Sequence, residues 1–320
     1  MTTIEQPAAG TATAVQLPAA LTDPAIPRLP DVLLRARAAV NEAAAQFLTI
    51  SEDALLKPWL FRGVDPEDGV RYGMYRGAEA IELAEAKLEA ALAGAPARAP
   101  GAIRCAPATI ARWALHGRLA ALDDAILDRV PRPGEWAIRE VLAHIVDGQR
   151  GYGVFSRWWA SQPLGEGRPT RVPDDANAAL DRELPGEAAD GAGSLTDIRT
   201  RLDEALDEWA GRFADVDEAV LAVPAVWTRV PLDIDFRLGR WASHIREHTV
   251  QIDKTLDWLG YAPSEPARIV RDLYATWGRL EARIFPEAPG GTESAVAAIL
   301  ERCAAQLVSD ARSTREAAEA

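Results

Sequence analysis

The chain has 320 residues, 48% of them hydrophobic, with 35 basic against 48 acidic side chains and a formal net charge of -13. That length supports one large domain or two small ones around a buried core, while the acidic balance repels polyphosphate and argues against nucleic acid or an anionic membrane surface as a partner. The two cysteines, Cys105 and Cys303, are too far apart in sequence to suggest a disulfide framework or a CxxC pair, which suits a reducing, cytoplasmic setting. Residues 1–29, rich in Ala, Thr and Pro, read as a flexible tail with no basic-then-apolar leader. Residues 31–49 then carry an apolar stripe (Val32, Leu33, Val40, Ala44, Phe47, Leu48) behind Asp31, a candidate N-cap. A second stripe runs over 70–93, through Val70, Met74, Gly77, Ile81, Ala84, Leu88 and Ala91. The Pro/Gly stretch that follows marks a domain boundary, closing an N-terminal helical extension over 30–100.

Four longer helical patterns come next, at 107–128, 135–161, 195–214 and 236–259, the number and length of a four-helix bundle. Between the second and third lies a broken stretch too long for a tight turn, which reads as a crossover or a lid. Two further helices, 265–284 and 292–316, form a C-terminal extension over 261–320. No alternating strand pattern with hairpin turns stands out, so the expected fold class is all-α. "DALLKPWLFRG" and "LDDAILDRVPRPGEW" share a rhythm, each an acidic, leucine-rich stretch running into proline and tryptophan, which raises the idea of a duplicated helix pair.

The chemistry concentrates in "HIREH", where His244 and His248 lie one helical turn apart and can bring their imidazoles to one point. The stripe of the same helix (Leu238, Trp241, Ile245, Ile252, Leu256, Leu259) puts His248 at its margin and His244 one step further out. Two imidazoles rarely hold a metal alone. A third, His144, follows Ile138, Val141 and Leu142 on the inner side of the second bundle helix, which makes His144, His244 and His248 the candidate metal ligands. His116 is left over as an ordinary helix histidine, and the tryptophans Trp113, Trp136, Trp158, Trp159, Trp209, Trp241 and Trp258 read as core packing. Gln251 and Asp147, each three residues past a candidate ligand, could orient the imidazoles or simply face solvent. Arg150, Tyr152 and Arg157 could meet an anionic substrate or be plain surface. The motif also fits H-x-x-E-H, a peptidase pattern with Glu247 as general base and a distant third ligand for which Glu281, Glu287 or Glu293 could be imagined.

The ordered combination "EWAIREVLAHIVDGQRGY", a long crossover and "RWASHIREHTVQIDKTLDWLG" resembles the DinB-like (DinB/YfiT-like) superfamily, which includes mycothiol-dependent maleylpyruvate isomerases and related thiol transferases. The resemblance covers residues 107–260 and implies a four-helix bundle with a long connection between its second and third helices. It also implies a metal-binding triad of His144, His244 and His248. The expected cofactors are a divalent ion, zinc or nickel on imidazole chemistry, and a low-molecular-weight thiol. The expected activity is a metal-dependent, thiol-using transferase or isomerase, or a hydrolase, acting on a small molecule. The alternative from another class is a non-catalytic metal-binding or stress-response module. The terminal helices are additions to the minimal bundle and are expected to pack together as a second, metal-free unit. The expected partner is a small-molecule substrate, with neither nucleic acid nor membrane, and pairing into a homodimer is left open.

Overall fold

The computed structural model describes residues 17–23, 25–227 and 229–320. Most of the expected tail, residues 1–16, lies outside the described residues. Its end does not behave as a tail: α1 (Ala19–Thr22) buries Leu21 against the bundle, and Arg212 donates hydrogen bonds to the carbonyls of Ala20 and Asp23. The helices that follow are α2 (Asp31–Leu48), α3 (Gly69–Leu92), α4 (Pro100–Leu119), α5 (Ile138–Ser161), α6 (Asp174–Asp181), α7 (Glu187–Asp190), α8 (Leu195–Phe213) and α9 (Glu218–Leu221). A hairpin, β1 (Pro224–Trp227) and β2 (Val230–Asp233), precedes α10 (Ile234–Trp258), α11 (Glu265–Ala282) and α12 (Glu293–Glu319). Among the described residues the fold is all-α apart from this hairpin and an isolated Phe61–Val64 bridge, and the sequence does not announce the hairpin because Pro224 and Pro231 break its alternation.

In the central unit α4 and α5 each pack against both α8 and α10, forming a four-helix bundle. Local caps set three of its helix starts. Glu140 Oε2 accepts from the Ala137 N–H ahead of α5, Ser194 and Asp197 bond reciprocally at α8, and Asp233 accepts from the Phe236 N–H at α10. The start of α4 differs from the expected 107, because Pro107 lies inside the helix and Pro100 opens it. The unpaired first-turn N–H groups of Gly101 and Ala102 find the carbonyls of Val216 (3.0 Å) and Ala214 (3.0 Å), beyond the end of α8. A Cβ on Gly101 would meet the Phe213 carbonyl oxygen at 2.0 Å, so only glycine allows that approach. Asp31 likewise occupies the first turn of α2, with Pro30 at the cap position and no side-chain cap bond.

The terminal helices repeat the central arrangement: α2 and α3 each pack against both α11 and α12. The two stretches of shared rhythm fold alike. Each makes a 3-10 turn (Glu52–Ala54, Asp124–Ile126), and the carbonyls of Leu55 and Leu127 accept from Arg71 and Arg139 at the first turns of α3 and α5. One apolar core runs through both sets of helices, with α11 lying on α4. At their junction Glu281, fully buried, accepts from Arg37 (2.6 and 3.0 Å), Arg112 (2.5 Å), Trp113 (3.0 Å) and Trp277 (2.8 Å), while Asp207 binds the two arginines from α8. No helix among the described residues is long and apolar enough to cross a membrane.

Candidate metal centre

Helix α10 presents His244 and His248 to His144 across from it on α5. The ring centroids are 5.1 Å (144 to 244), 4.8 Å (144 to 248) and 4.5 Å (244 to 248) apart. One nitrogen from each ring lies within 4.8 Å of the others, and His144 Nε2 is 3.3 Å from His244 Nε2. A tetrahedral ion with Zn–N bonds near 2.05 Å separates its nitrogens by about 3.4 Å. The three histidines therefore converge on a volume that one ion would fill.

Their outward nitrogens are held. His144 Nδ1 lies 2.7 Å from Glu187 Oε1 on α7, and His248 Nδ1 lies 2.8 Å from Gln251 Oε1. Both acceptors put the ring proton on Nδ1 and leave a lone pair on Nε2, the arrangement a ligating imidazole needs. His244 Nδ1 faces the side-chain amide of buried Gln149 at 3.2 Å. With the amide nitrogen toward the ring, Gln149 Oε1 is buried without a partner among the described residues. The amide turned over lets Oε1 accept from His244 Nδ1–H, the tautomer that frees Nε2 to ligate. Three lone pairs then point inward at one another, a donor set that fits a divalent ion of the imidazole-binding kind.

The sequence order of depth is reversed here: His244 is buried at 4% exposure and His248 is half-buried. The reason sits on the opposite helix, where Gly148 leaves room for the His244 ring. A Cβ there would lie 2.6 Å from His244 Cε1. Burial, with the neighbouring His248 and His144 adding to it, lowers the His244 pKa to about 3, and burial also lowers that of His248. His144 stays at the rim. Trp136, expected in the core, instead lies 38% exposed with its ring edge-on to His144 and stacked on His248.

The other candidates sort themselves by partner. Gln251 orients His248, whereas Asp147 makes no hydrogen bond to His144 and its carboxyl is raised by burial and by nearby Asp190 and Glu187. Arg150 and Arg157 are occupied by Asp190 and Glu183. Tyr152 packs edge-on to His244. His116, buried on α4, does not join the group: its Nε2 meets Asp203 at 2.8 Å and its Nδ1 accepts from Arg199 at 3.1 Å, and burial lowers its pKa against the pull of Asp203. The peptidase arrangement is not built. Glu247 is bound twice by Arg240 (2.6 and 3.0 Å), a contact that holds its carboxyl below the usual range and makes it a poorer base. Glu281 belongs to the buried arginine cluster, and neither it nor Glu287 or Glu293 joins the histidine group.

All three histidines border a cavity of about 730 Å³, walled by Tyr152, Phe155, Val226 and Trp227 and by Leu184 of the crossover. Glu187, Gln149 and Gly148 escaped the sequence reading. Glu187 stands in the irregular crossover, and the other two matter only through a neighbouring helix. Residues 108–252 match the family model described as the DinB superfamily. No curated protein and no solved structure matches the chain.

Proposed function

The segment 108–252 belongs to the DinB superfamily, and on that premise we propose that the protein is a metal-dependent enzyme acting on a small molecule. In this reading His144, His244 and His248 hold one divalent ion, zinc or nickel. A low-molecular-weight thiol attacks an electrophilic substrate in a transfer or isomerisation, with hydrolysis the variant in which water takes the thiol's place. The observation that carries it is the convergence of three imidazole nitrogens at the edge of a cavity, with no fourth protein ligand among the described residues. Three-ligand sites of this kind are catalytic, while structural sites are closed. That difference also weighs against the metal serving only as a brace.

A bound divalent ion would supply Lewis acidity that brings a thiol or water within reach of ionisation near neutral pH. The chain does the rest. Glu187 and Gln251 fix the ring orientation of His144 and His248, Gln149 does so for His244, and Gly148 admits the His244 ring. Tyr152, Phe155 and Trp227 give the cavity an aromatic wall beside the histidines. The experiment is metal analysis of purified protein and of His248→Ala, joined to an activity screen of several small thiols against electrophilic substrates. One ion per chain in the wild type and none in the variant is the expected result. Stoichiometric metal in His248→Ala would end the proposal.

A further inference from the structure

Arg237 lies two helical turns before His244 on the same face of α10 and borders the same cavity. It is buried at 5% exposure, yet no carboxylate among the described residues pairs with it. Its one hydrogen bond among the described residues runs from Nε to Ser156 Oγ on α5, at 3.0 Å, to a serine that is itself fully buried. The neighbouring Arg240 has Glu247, and the rim residue Arg171 has Asp174. An unpaired buried charge is costly and persists in folded proteins where something else compensates it. Among the described residues neither Nη group has an acceptor, and Arg237 lines the cavity. Desolvation lowers the Arg237 pKa to about 10, still charged at neutral pH, with only Tyr152 offsetting it.

We propose that Arg237 is the anchor for an oxyanion group, carboxylate or phosphate, on the small molecule that occupies this cavity. The proposal deepens the functional reading above by naming the substrate class. Seven residues of helix place the anchor about 10 Å along the axis from His244, so the substrate is an acid whose reactive atom lies well removed from its anionic end. Ser156 fixes the guanidinium through Nε and leaves the Nη pair as a fork, the geometry that holds two oxygens at once. Tyr152, Phe155, Val226 and Trp227 flank the span between anchor and histidines, suited to an apolar middle.

The test uses the full chain in two backgrounds, metal-loaded wild type and the metal-free His248→Ala variant, with glutarate, inorganic phosphate and neutral glutaramide as probes. Binding is read by tryptophan fluorescence and by melting temperature. Glutarate or phosphate should bind and raise the melting temperature in both backgrounds, glutaramide should not, and the better anion identifies the group. Arg237→Met should weaken that binding about 30-fold or more and should melt no lower than its parent, since it removes an uncompensated buried charge. Arg237→Lys, which keeps charge without the fork, should fall between. Absence of anion binding in both backgrounds, anion binding unchanged in Arg237→Met, or an Arg237→Met protein that melts far below its parent overturns the proposal. Because the metal-free background is read separately, failure of the metal assignment and failure of the anion anchor give different results.

Discussion

Replacing Gly148 by alanine sets two local effects of opposite sign against each other. In an α-helix the exchange favours the folded state by about 1 kcal/mol, because alanine loses less backbone freedom. At this position the new Cβ would stand 2.6 Å from His244 Cε1, 3.2 Å from Nδ1 and 3.3 Å from Nε2. An ordinary carbon contact near 3.6 Å requires the ring to retreat by about 1 Å, at an overpacking cost of about 1–3 kcal/mol. Stability should therefore change little or fall by at most about 2 kcal/mol. Metal binding has no such compensation, since a ligating nitrogen tolerates displacements of only about 0.2 Å. A 1 Å retreat takes His244 out of the set, and affinity should fall by at least the 10–100-fold, roughly, that follows loss of an orienting partner. Gly151, one turn along the same helix with nothing within 4 Å of its would-be Cβ, is the control. Gly151→Ala should be stabilising by about 0.5–1 kcal/mol with metal affinity unchanged. Chelator competition reads the affinity, and urea unfolding of the metal-free proteins reads the stability. A folded Gly148→Ala protein that binds metal as tightly as wild type would refute the argument that Gly148 exists to seat the His244 ring.

Two further outcomes follow from the same geometry. Glu281→Ala leaves Arg37 and Arg112 buried with Asp207 and, for Arg112, the more distant Asp203 at 3.6 Å, and should cost about 3–5 kcal/mol in urea unfolding while leaving metal affinity intact; a loss below about 1 kcal/mol, the worth of a surface pair, would show that the cluster does not join the helices as described. The metal-free protein should lose stability as pH falls from 7.5 to 5.5: burial lowers His116, His244 and His248, so their contribution is full above the ordinary imidazole value of about 6.5 and declines below it as the unfolded chain takes up protons that the folded chain refuses. A melting temperature that rises over that interval would contradict the burial of these rings.

Periodicity is enough to locate the long helices, because a 3.6-residue repeat of apolar side chains is a local signal that needs no partner to be read: the repeats over 195–214 and 265–284 coincide with α8 and α11. It also determined that His244 and His248 share a helix face and that His144 stands on an inner face of another helix, since spacing alone dictates both. Non-local contacts decided the rest. Helix α4 begins at Pro100 because carbonyls of residues 214 and 216 receive its first N–H groups, a pairing invisible until the chain is folded. The depth of His244 depends on Gly148, the proton placement on His144 depends on Glu187 from an irregular connection, and the unpaired charge of Arg237 is apparent only once the surrounding side chains are counted. Periodicity tells which way a side chain faces relative to its own helix. What meets it there belongs to tertiary structure, because burial, hydrogen bonding and charge compensation are properties of pairs of segments distant in the chain.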